Sequence, residues 1–321
     1  MRNMEHCLII GSGAAGLTAG IYAARANLEP LIVGGLLPGG QLMLTSDVEN
    51  FPGHEQPIAG MDLMEITRKQ CARLGARFVN DQVERCDFGS FPRRLRLSDG
   101  KEIQAKSVIV ATGANAKWLG MPSETRLRGK GVSACAVCDG FFFKGKELVV
   151  VGGGDTAIEE ATFLTNFASR VSVVHRRDRL RAGPAMESKA KANLKINFIW
   201  DSAVEEVLGE DAVSGVRLKN LKTGASRDFS CQGLFIAIGH EPSTKVFASQ
   251  LPMDEQGYIR VEPNSWVKTS VPGVFAAGDC VDRHYRQAVT AAAFGCMAAM
   301  EAHRWLEERG ADVVKPNPRP P

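Results

Sequence analysis

The chain has 321 residues, 44% of them hydrophobic, and 39 basic side chains stand against 36 acidic ones for a formal net charge of +3. That length can bury more than one core, and so small a net charge gives no case for nucleic acid or an anionic membrane as a partner. No run of 18 apolar residues occurs, and the opening MRNMEHCLIIGSG lacks the apolar segment and cleavage site of a signal peptide, so a soluble cytoplasmic protein is expected.

The apolar run at 8–10 reads as a strand. Gly11, Gly13 and Gly16 follow as G-x-G-x-x-G, the Ala-rich stretch 14–26 reads as a helix, and 31–33 reads as the next strand. In this setting the first glycine permits the turn, the second lets a pyrophosphate approach, and the third lets helix and strand pack closely. The helix N-terminus then attracts the pyrophosphate. A turn that binds nothing is the competing reading, and the intact flanks disfavour it.

Downstream, GMDLMEITRKQCARLGARF supplies a helix and a strand. Alternating stretches near 83–87, 93–98 and 103–106 suggest a small antiparallel insertion, after which SVIVATG ends a strand at Ala111, Thr112 and Gly113.

A thiol pair comes next. Cys135 and Cys138 form the only C-x-x-C among eight cysteines, and Asp139 follows directly. The other six, at 7, 71, 86, 231, 280 and 296, read as buried small hydrophobes or bystanders. Structural zinc needs four ligands and this pair offers two, so no metal is expected. A static bridge across four residues would restrain little chain. A redox role fits better, with one thiolate attacking an external disulfide and the other resolving the mixed disulfide. Spacing alone does not say which is which.

A second glycine turn follows the thiols. Strand 148–151 leads into Gly152, Gly154 and Ala157, a G-x-G-x-x-A version, then helix 155–166 and strand 171–174. An acid about 20 residues after the glycines would select the free ribose hydroxyl of NAD. His175, Arg176 and Arg177 stand there instead, with Arg181 further on, which suits the 2′-phosphate of NADP. A solvated charge run is the alternative, and its place just after the second strand argues against it. FAD is the usual companion at the other turn, with a fused pair of NAD(P)-binding domains as the competitor.

VEEVLGEDAVSGVRLKNLKTG then gives short strands, and GLFIAIGHEP gives a strand ending at Gly239, so the second half repeats the plan of the first. The late strand 274–276 and the helix 286–308 have no glycine turn of their own and are expected to complete the first domain. The expected fold is therefore α/β: two Rossmann-like nucleotide-binding domains of the FAD/NAD(P)-binding (three-layer ββα) type, the second inserted in the first. The FAD domain would comprise 1–116 plus 247–321, and the NADPH domain, carrying the C-x-x-C, 117–246. The Pro-rich tail 311–321 is expected to be disordered.

The motifs GSGAAGLTAGIYAARA, GGQL, VENFPG, ATGA, ACAVCDG, VVGGGDTAIEEA, HRRDRLRA, AIGHEP, GVFAAGDC and YRQAVTAAAFGCMAA are together highly specific. Over nearly its whole length the chain resembles the bacterial-type, low-molecular-weight thioredoxin reductases, class II pyridine nucleotide-disulfide oxidoreductases. That resemblance implies a homodimeric flavoprotein passing electrons from NADPH to FAD, to the dithiol, and on to thioredoxin. It implies that Cys138 lies next to the flavin, that Cys135 attacks thioredoxin, and that Asp139 is the acid/base. It places Gly11, Gly13, Ala14, Gly16, Gly39, Gly40, Gln41, Leu42, Thr45, Asn50, Val83, Ala111, Thr112 and Gly113 at FAD, with Gly278, Asp279, Arg286, Gln287 and Ala288. It places Gly152, Gly154, Asp155, Thr156, His175, Arg176, Arg177, Arg181, Ile238 and Gly239 at the second nucleotide.

The chain departs from the family pattern in places. Leu37 stands where relatives can place a Glu on the FAD ribose, and the dithiol reads C-A-V-C where C-A-T-C is common. Cys280 beside Asp279 reads as a packed thiol. The dithiol and the NADPH motif share one inserted domain, so rotation about linkers near 114–118 and 243–248 is expected. Reduction of another dithiol carrier, glutaredoxin-like or peroxiredoxin-linked, is the alternative activity. A non-catalytic nucleotide-binding protein would need neither the cysteines nor Asp139.

Overall fold

A computed structural model describes residues 4–35, 38–45 and 47–310. Leu37 and the tail 311–321 lie outside the described residues. The chain divides into two compact units, Met1–Asn115 with Glu241–Pro321, and Ala116–His240. The return to the first unit thus falls at 240/241, where the sequence reading has it after 246. The reason is packing: Phe247 is fully buried, stacks on Phe88 with ring centroids 6.0 Å apart, and joins Val246 in a core of the first unit.

The first unit is built on a seven-stranded sheet. Strands Arg77–Val79, Leu31–Val33, Glu5–Ile10, Glu102–Val110 and Val274–Ala276 run parallel, with Ile10 in register with Val33 and Val110, and Val110 with Ala276. Arg93–Leu97 and Val83–Asp87 extend it as an antiparallel meander. Parallel strands covered on both faces must be apolar on both, and the side chains divide accordingly. Cys7, Ile9, Ile32, Ile109 and Phe275 pack with helices Ala14–Arg25 and Ala288–Glu308. Leu8, Ile10, Leu31, Val33, Val108, Val110 and Val274 pack on the other face with Phe88, Leu95, Leu97 and Phe247.

Glu102–Val110 differs from the expected pair of separate strands. It is one nine-residue strand, antiparallel to Arg93–Leu97 over its first half and parallel to its other neighbours over the second. No turn residue interrupts EIQAKSVIV, so the backbone stays extended while its partners change.

The second unit repeats this plan. Its parallel sheet has the order Val132–Ser133, Gly233–Ile236, Glu147–Val151, Arg170–Val174, Ile196–Ile199. Leu148, Val150, Val171, Val173 and Phe235 face helix Asp155–Leu164, while Val149, Val151, Val174, Leu234 and Ile236 face the antiparallel strands Ser202–Leu208 and Gly215–Asn220. Here the meander, completed by Ser226–Ser230, forms a separate three-stranded sheet. Among the described residues no helix is long and apolar enough to cross a membrane.

Candidate active site

The two glycine turns are built alike. Gly11 donates to the Val33 carbonyl at 2.8 Å, and a Cβ on it would stand 2.1 Å from the Ala111 carbonyl oxygen. Gly152 donates to the Val174 carbonyl at 3.2 Å, and a Cβ there would stand 2.4 Å from the Ala237 oxygen. In each, the residue after the central strand donates back to the first strand: Ala111 to Ile10 at 2.8 Å and Ala237 to Val151 at 2.9 Å. Gly13 and Gly154 sit at the N-caps of their helices, with Ala14 and with Asp155 and Thr156 opening the first turns. Almost nothing stands near either: a Cβ on Gly13 meets only the Gly40 Cα at 3.9 Å, and one on Gly154 meets nothing. Each turn is therefore a cradle with unobstructed backbone at a helix N-terminus, the setting in which a pyrophosphate binds.

Several of the residues expected at the first cradle are tied to one another or to the glycine turn by hydrogen bonds. Ser12, which the sequence reading passed over as the variable position of G-S-G, donates to the Gly34 carbonyl at 2.9 Å and accepts from Gly39 N–H at 3.0 Å. That pins the loop bearing Gly39, Gly40 and Gln41 over the turn. Gln41 donates to Asn115 at 2.6 Å, and Asn50 donates to Gln287 at 3.3 Å although 237 positions separate them. Leu42 and Thr45 receive the start of helix Gly60–Arg73, with Gly60 N–H donating to the Thr45 carbonyl at 3.2 Å. Gln287 and Thr290 form a capping box that fixes where Ala288 begins its helix, two residues later than expected. Val83 lies in the meander, packed against the second core of this unit.

Gly278 and Asp279 follow strand Val274–Ala276. A Cβ on Gly278 would stand 2.8 Å from the Ala15 side chain and 3.6 Å from that of Ala291, so both long helices converge here. Asp282 organises the next loop, accepting from the backbone N–H groups of His284, Tyr285 and Arg286 at 2.8–2.9 Å. Burial and the neighbouring Asp282 push the Asp279 carboxyl up to about 7, with Arg286 pulling the other way. Asp279 Oδ1 and Thr112 Oγ1 are buried with no hydrogen-bond partner among the described residues. Buried polar atoms need partners, so these two orphaned atoms fit a polar ligand beside the cradle. Cys280 is fully buried, its thiol directed at the Val110 and Ala277 carbonyls, and burial pushes it up to about 11.

At the second cradle the basic residues divide into two kinds. Arg176, Arg177 and Arg181 are exposed, whereas His175 is buried against Gly153 and Trp200. Desolvation holds the imidazole below its ordinary value, which favours the neutral ring, and its Nε2 is buried with no hydrogen-bond partner among the described residues. Gly153 is a residue the motif reading missed, and the signal was a third glycine where G-x-G needs only two. Its carbonyl accepts from Arg181 N–H at 2.6 Å and Ala182 N–H at 3.2 Å, while Asp155 accepts from Gly183 N–H at 2.8 Å. These bonds fasten the arginine loop to the glycine turn. Ile238 and Gly239, both half-buried, follow strand Gly233–Ile236.

The thiols lie in the same unit, after strand Val132–Ser133. Cys135 and Cys138 form a disulfide, and Cys135 caps the short helix Ala136–Asp139. The Cys135 sulfur accepts from Cys138 N–H at 3.2 Å, and the Ser133 hydroxyl accepts from Cys135 N–H at 3.0 Å. Asp139 is half-buried; desolvation raises its carboxyl above the ordinary range, opposed by a hydrogen bond with Ser133. Ser133 is a second residue missed from sequence, since one hydroxyl two positions before a cysteine carries no signal. Val137, Phe141 and Phe142 are exposed around the disulfide. No group of three or more His, Cys, Asp or Glu able to hold a metal occurs among the described residues.

Two dinucleotide cradles and a disulfide beside a desolvated carboxyl are the parts of a pyridine nucleotide-disulphide oxidoreductase, and the family model of that description matches residues 5–295. A thioredoxin reductase of Rickettsia conorii is 50% identical over 311 residues, covering 96% of this chain and 100% of the relative. Among solved structures, thioredoxin reductase from Giardia duodenalis matches with a TM-score of 0.91 at 45% identity, covering 95% of this chain and 100% of that one. The enzyme of Streptococcus pyogenes also gives 0.91, at 41% identity and 96% and 100% coverage. The chain belongs to the thioredoxin reductase family.

Proposed function

We propose that this protein is an NADPH-dependent thioredoxin-disulfide reductase, with FAD at the first cradle and NADPH at the second. The observation that carries the reading is the Cys135–Cys138 disulfide, next to a carboxyl that burial biases toward its protonated form, in a unit that also holds a dinucleotide turn. The orphaned oxygens of Thr112 and Asp279 and the open turn at Gly13 support a dinucleotide at the first cradle. Exposed Arg176, Arg177 and Arg181, with no acid at the ribose position, support NADPH over NADH at the second.

When bound, FAD supplies two-electron exchange between nicotinamide and disulfide. The chain's residues do the rest. Two electrons and two protons convert the disulfide to a dithiol, and Asp139 gives or takes a proton at the Cys138 sulfur. The Cys135 thiolate attacks the substrate disulfide, forming a mixed disulfide and releasing one substrate thiolate. Cys138 then attacks the Cys135 sulfur, the second substrate thiolate leaves, and the Cys135–Cys138 bridge re-forms. Val137, Phe141 and Phe142 around the disulfide suit a protein substrate, because clustered exposed apolar side chains mark docking surfaces. Because dithiol and arginine loop share a unit, turnover requires that unit to rotate about the chain crossings between steps.

Six unpaired cysteines among the described residues accord with a reducing, cytoplasmic setting. Exposed Tyr22, Met61, Ile66 and Met300 on helices of the first unit support a homodimer, which light scattering would check.

The test is NADPH oxidation coupled to thioredoxin, comparing wild type with Cys135→Ser and Cys138→Ser. Both variants should bind FAD and lose thioredoxin turnover. Retained turnover in both would remove the dithiol assignment, and full turnover after cross-linking the units would remove the rotation.

A further inference from the structure

The arginine loop of the second unit contains an acid. Asp178 lies between Arg177 and Arg179 and is exposed, so its charge faces the same solvent from which a phosphate would arrive. A second acid, Asp201, sits just beyond strand Ile196–Ile199, in the left-handed region at φ 50°. Its N–H donates to the Arg177 carbonyl at 3.3 Å, while Ser202 N–H donates to the His175 carbonyl at 3.0 Å, so this bend is tied to the arginine loop.

One lysine answers both acids. Lys222 Nζ stands 2.9 Å from Asp201 Oδ2 and 3.5 Å from Asp178 Oδ2. It comes from the tip of the hairpin between Gly215–Asn220 and Ser226–Ser230, far from the H-R-R run in sequence. The tip is rigid: Asn220 Oδ1 accepts from Lys222 N–H at 3.0 Å and Thr223 N–H at 2.9 Å, and Gly224 N–H donates to the Asn220 carbonyl at 2.8 Å. It is also fastened to the bend, because Leu221 N–H donates to the Asp201 carbonyl at 2.6 Å. A solvated lysine on a free hairpin would have neither anchor.

We infer that Lys222 is a specificity-determining positioning residue: by holding Asp178 and Asp201 it lets the arginine loop present a positive face to a ribose 2′-phosphate. This rests on the reading that the loop binds NADPH. Four arginines at 176, 177, 179 and 181 and Lys222 stand against the two aspartates. Without Lys222 the two acids cancel more of the arginines' positive charge in the same small region. A dianionic phosphate feels that difference and an uncharged hydroxyl does not, so the effect belongs to the 2′-phosphate alone. The Lys222–Asp178 pair is exposed and adds little to stability, while Asp201 in the other pair is largely covered; the consequence for binding is the local field, within a Debye length of the arginines.

The experiment is calorimetric titration of the full-length flavoprotein with adenosine 2′,5′-bisphosphate and with 5′-AMP, which differ only in the 2′-phosphate. Lys222→Met should weaken the bisphosphate about fivefold at low salt and less at high salt, as a screened charge effect requires. It should leave 5′-AMP binding unchanged. Adding Asp178→Asn to Lys222→Met should restore much of the loss. Unchanged bisphosphate binding in Lys222→Met, or equal weakening of both probes, would overturn the role of Lys222. Wild-type protein that does not distinguish the probes would instead overturn the NADPH reading beneath it.

Discussion

The His175 imidazole is seated on Gly153, so closely that a Cβ built on the glycine would meet the ring at 2.3 Å. The ring cannot yield far, since Trp200 stands edge-on to it at 6.4 Å and the side chain is buried. The same glycine holds Arg181 and Ala182 through its carbonyl. Gly153→Ala should therefore displace the arginine loop with little effect on the dithiol. The expected result is a rise of about tenfold or more in the KM for NADPH, with kcat at saturating NADPH nearly unchanged. A fall in kcat alone would mean the contact serves something else.

The same ring makes the second unit sensitive to acid. Burial lowers the pKa of His175 below the ordinary value of 6.5, so between the folded and unfolded values the unfolded chain binds more protons. His175 thus contributes stability that is complete above about pH 6.5 and lost as pH falls through the lower, folded value. Chemical denaturation followed by tryptophan fluorescence should show the wild type weakening from pH 7 to pH 5. In His175→Gln that slope should flatten, and an equal slope in both proteins would count against the imidazole.

Asp139 predicts the opposite limb. Its raised pKa keeps the proton-donating form present at higher pH than an ordinary carboxyl would, and that form disappears as pH rises through the shifted value. Thioredoxin turnover should fall on the alkaline side for this reason. Asp139→Asn should lower turnover by about 10², the usual worth of a positioned acid/base, and should abolish that limb. Stopped-flow measurement of dithiol oxidation across pH would test it, and a limb that survives in Asp139→Asn belongs to another group.

Gly16 bears on flavin retention. A Cβ on it would stand 2.0 Å from the Gly11 carbonyl oxygen, which is backbone and cannot swing aside. Gly16→Ala must push helix Ala14–Arg25 off its strand and open the cradle. The purified variant should carry less than half the wild-type flavin absorbance and melt at lower temperature. The second turn is the control, since Ala157 already occupies the equivalent place there; Ala157→Gly should still fold and keep its flavin.

Both glycine turns, the doubled plan and the dithiol were legible because each depends on contiguous residues with strong local requirements. Gly11, Gly13 and Gly16 lie within one turn and its helix, and the C-x-x-C lies within four residues. What escaped were partners set by the folded geometry rather than by a local motif. Ser12 acts on Gly34 and Gly39, Ser133 on Asp139, and Lys222 on acids 21 and 44 positions away in sequence, as the numbering shows. His175 was placed with the arginines because H-R-R reads as one charged run, whereas the strand that ends just before it turns the first side chain inward and the next two outward. The change from antiparallel to parallel pairing within Glu102–Val110 left no trace either, since both pairings suit the same extended residues.

The first unit closes with strand Val274–Ala276, which pairs with Glu102–Val110, and helix Ala288–Glu308, which shares a core with the opening strand and helix of the chain. The second unit is contiguous, Ala116–His240. On the ribosome the second unit can fold while the opening segment must wait, its apolar surfaces uncovered, until strand Val274–Ala276 and helix Ala288–Glu308 emerge. Translation that stalls before those elements would leave a finished second unit joined to an unfinished first, the species that chaperones would meet.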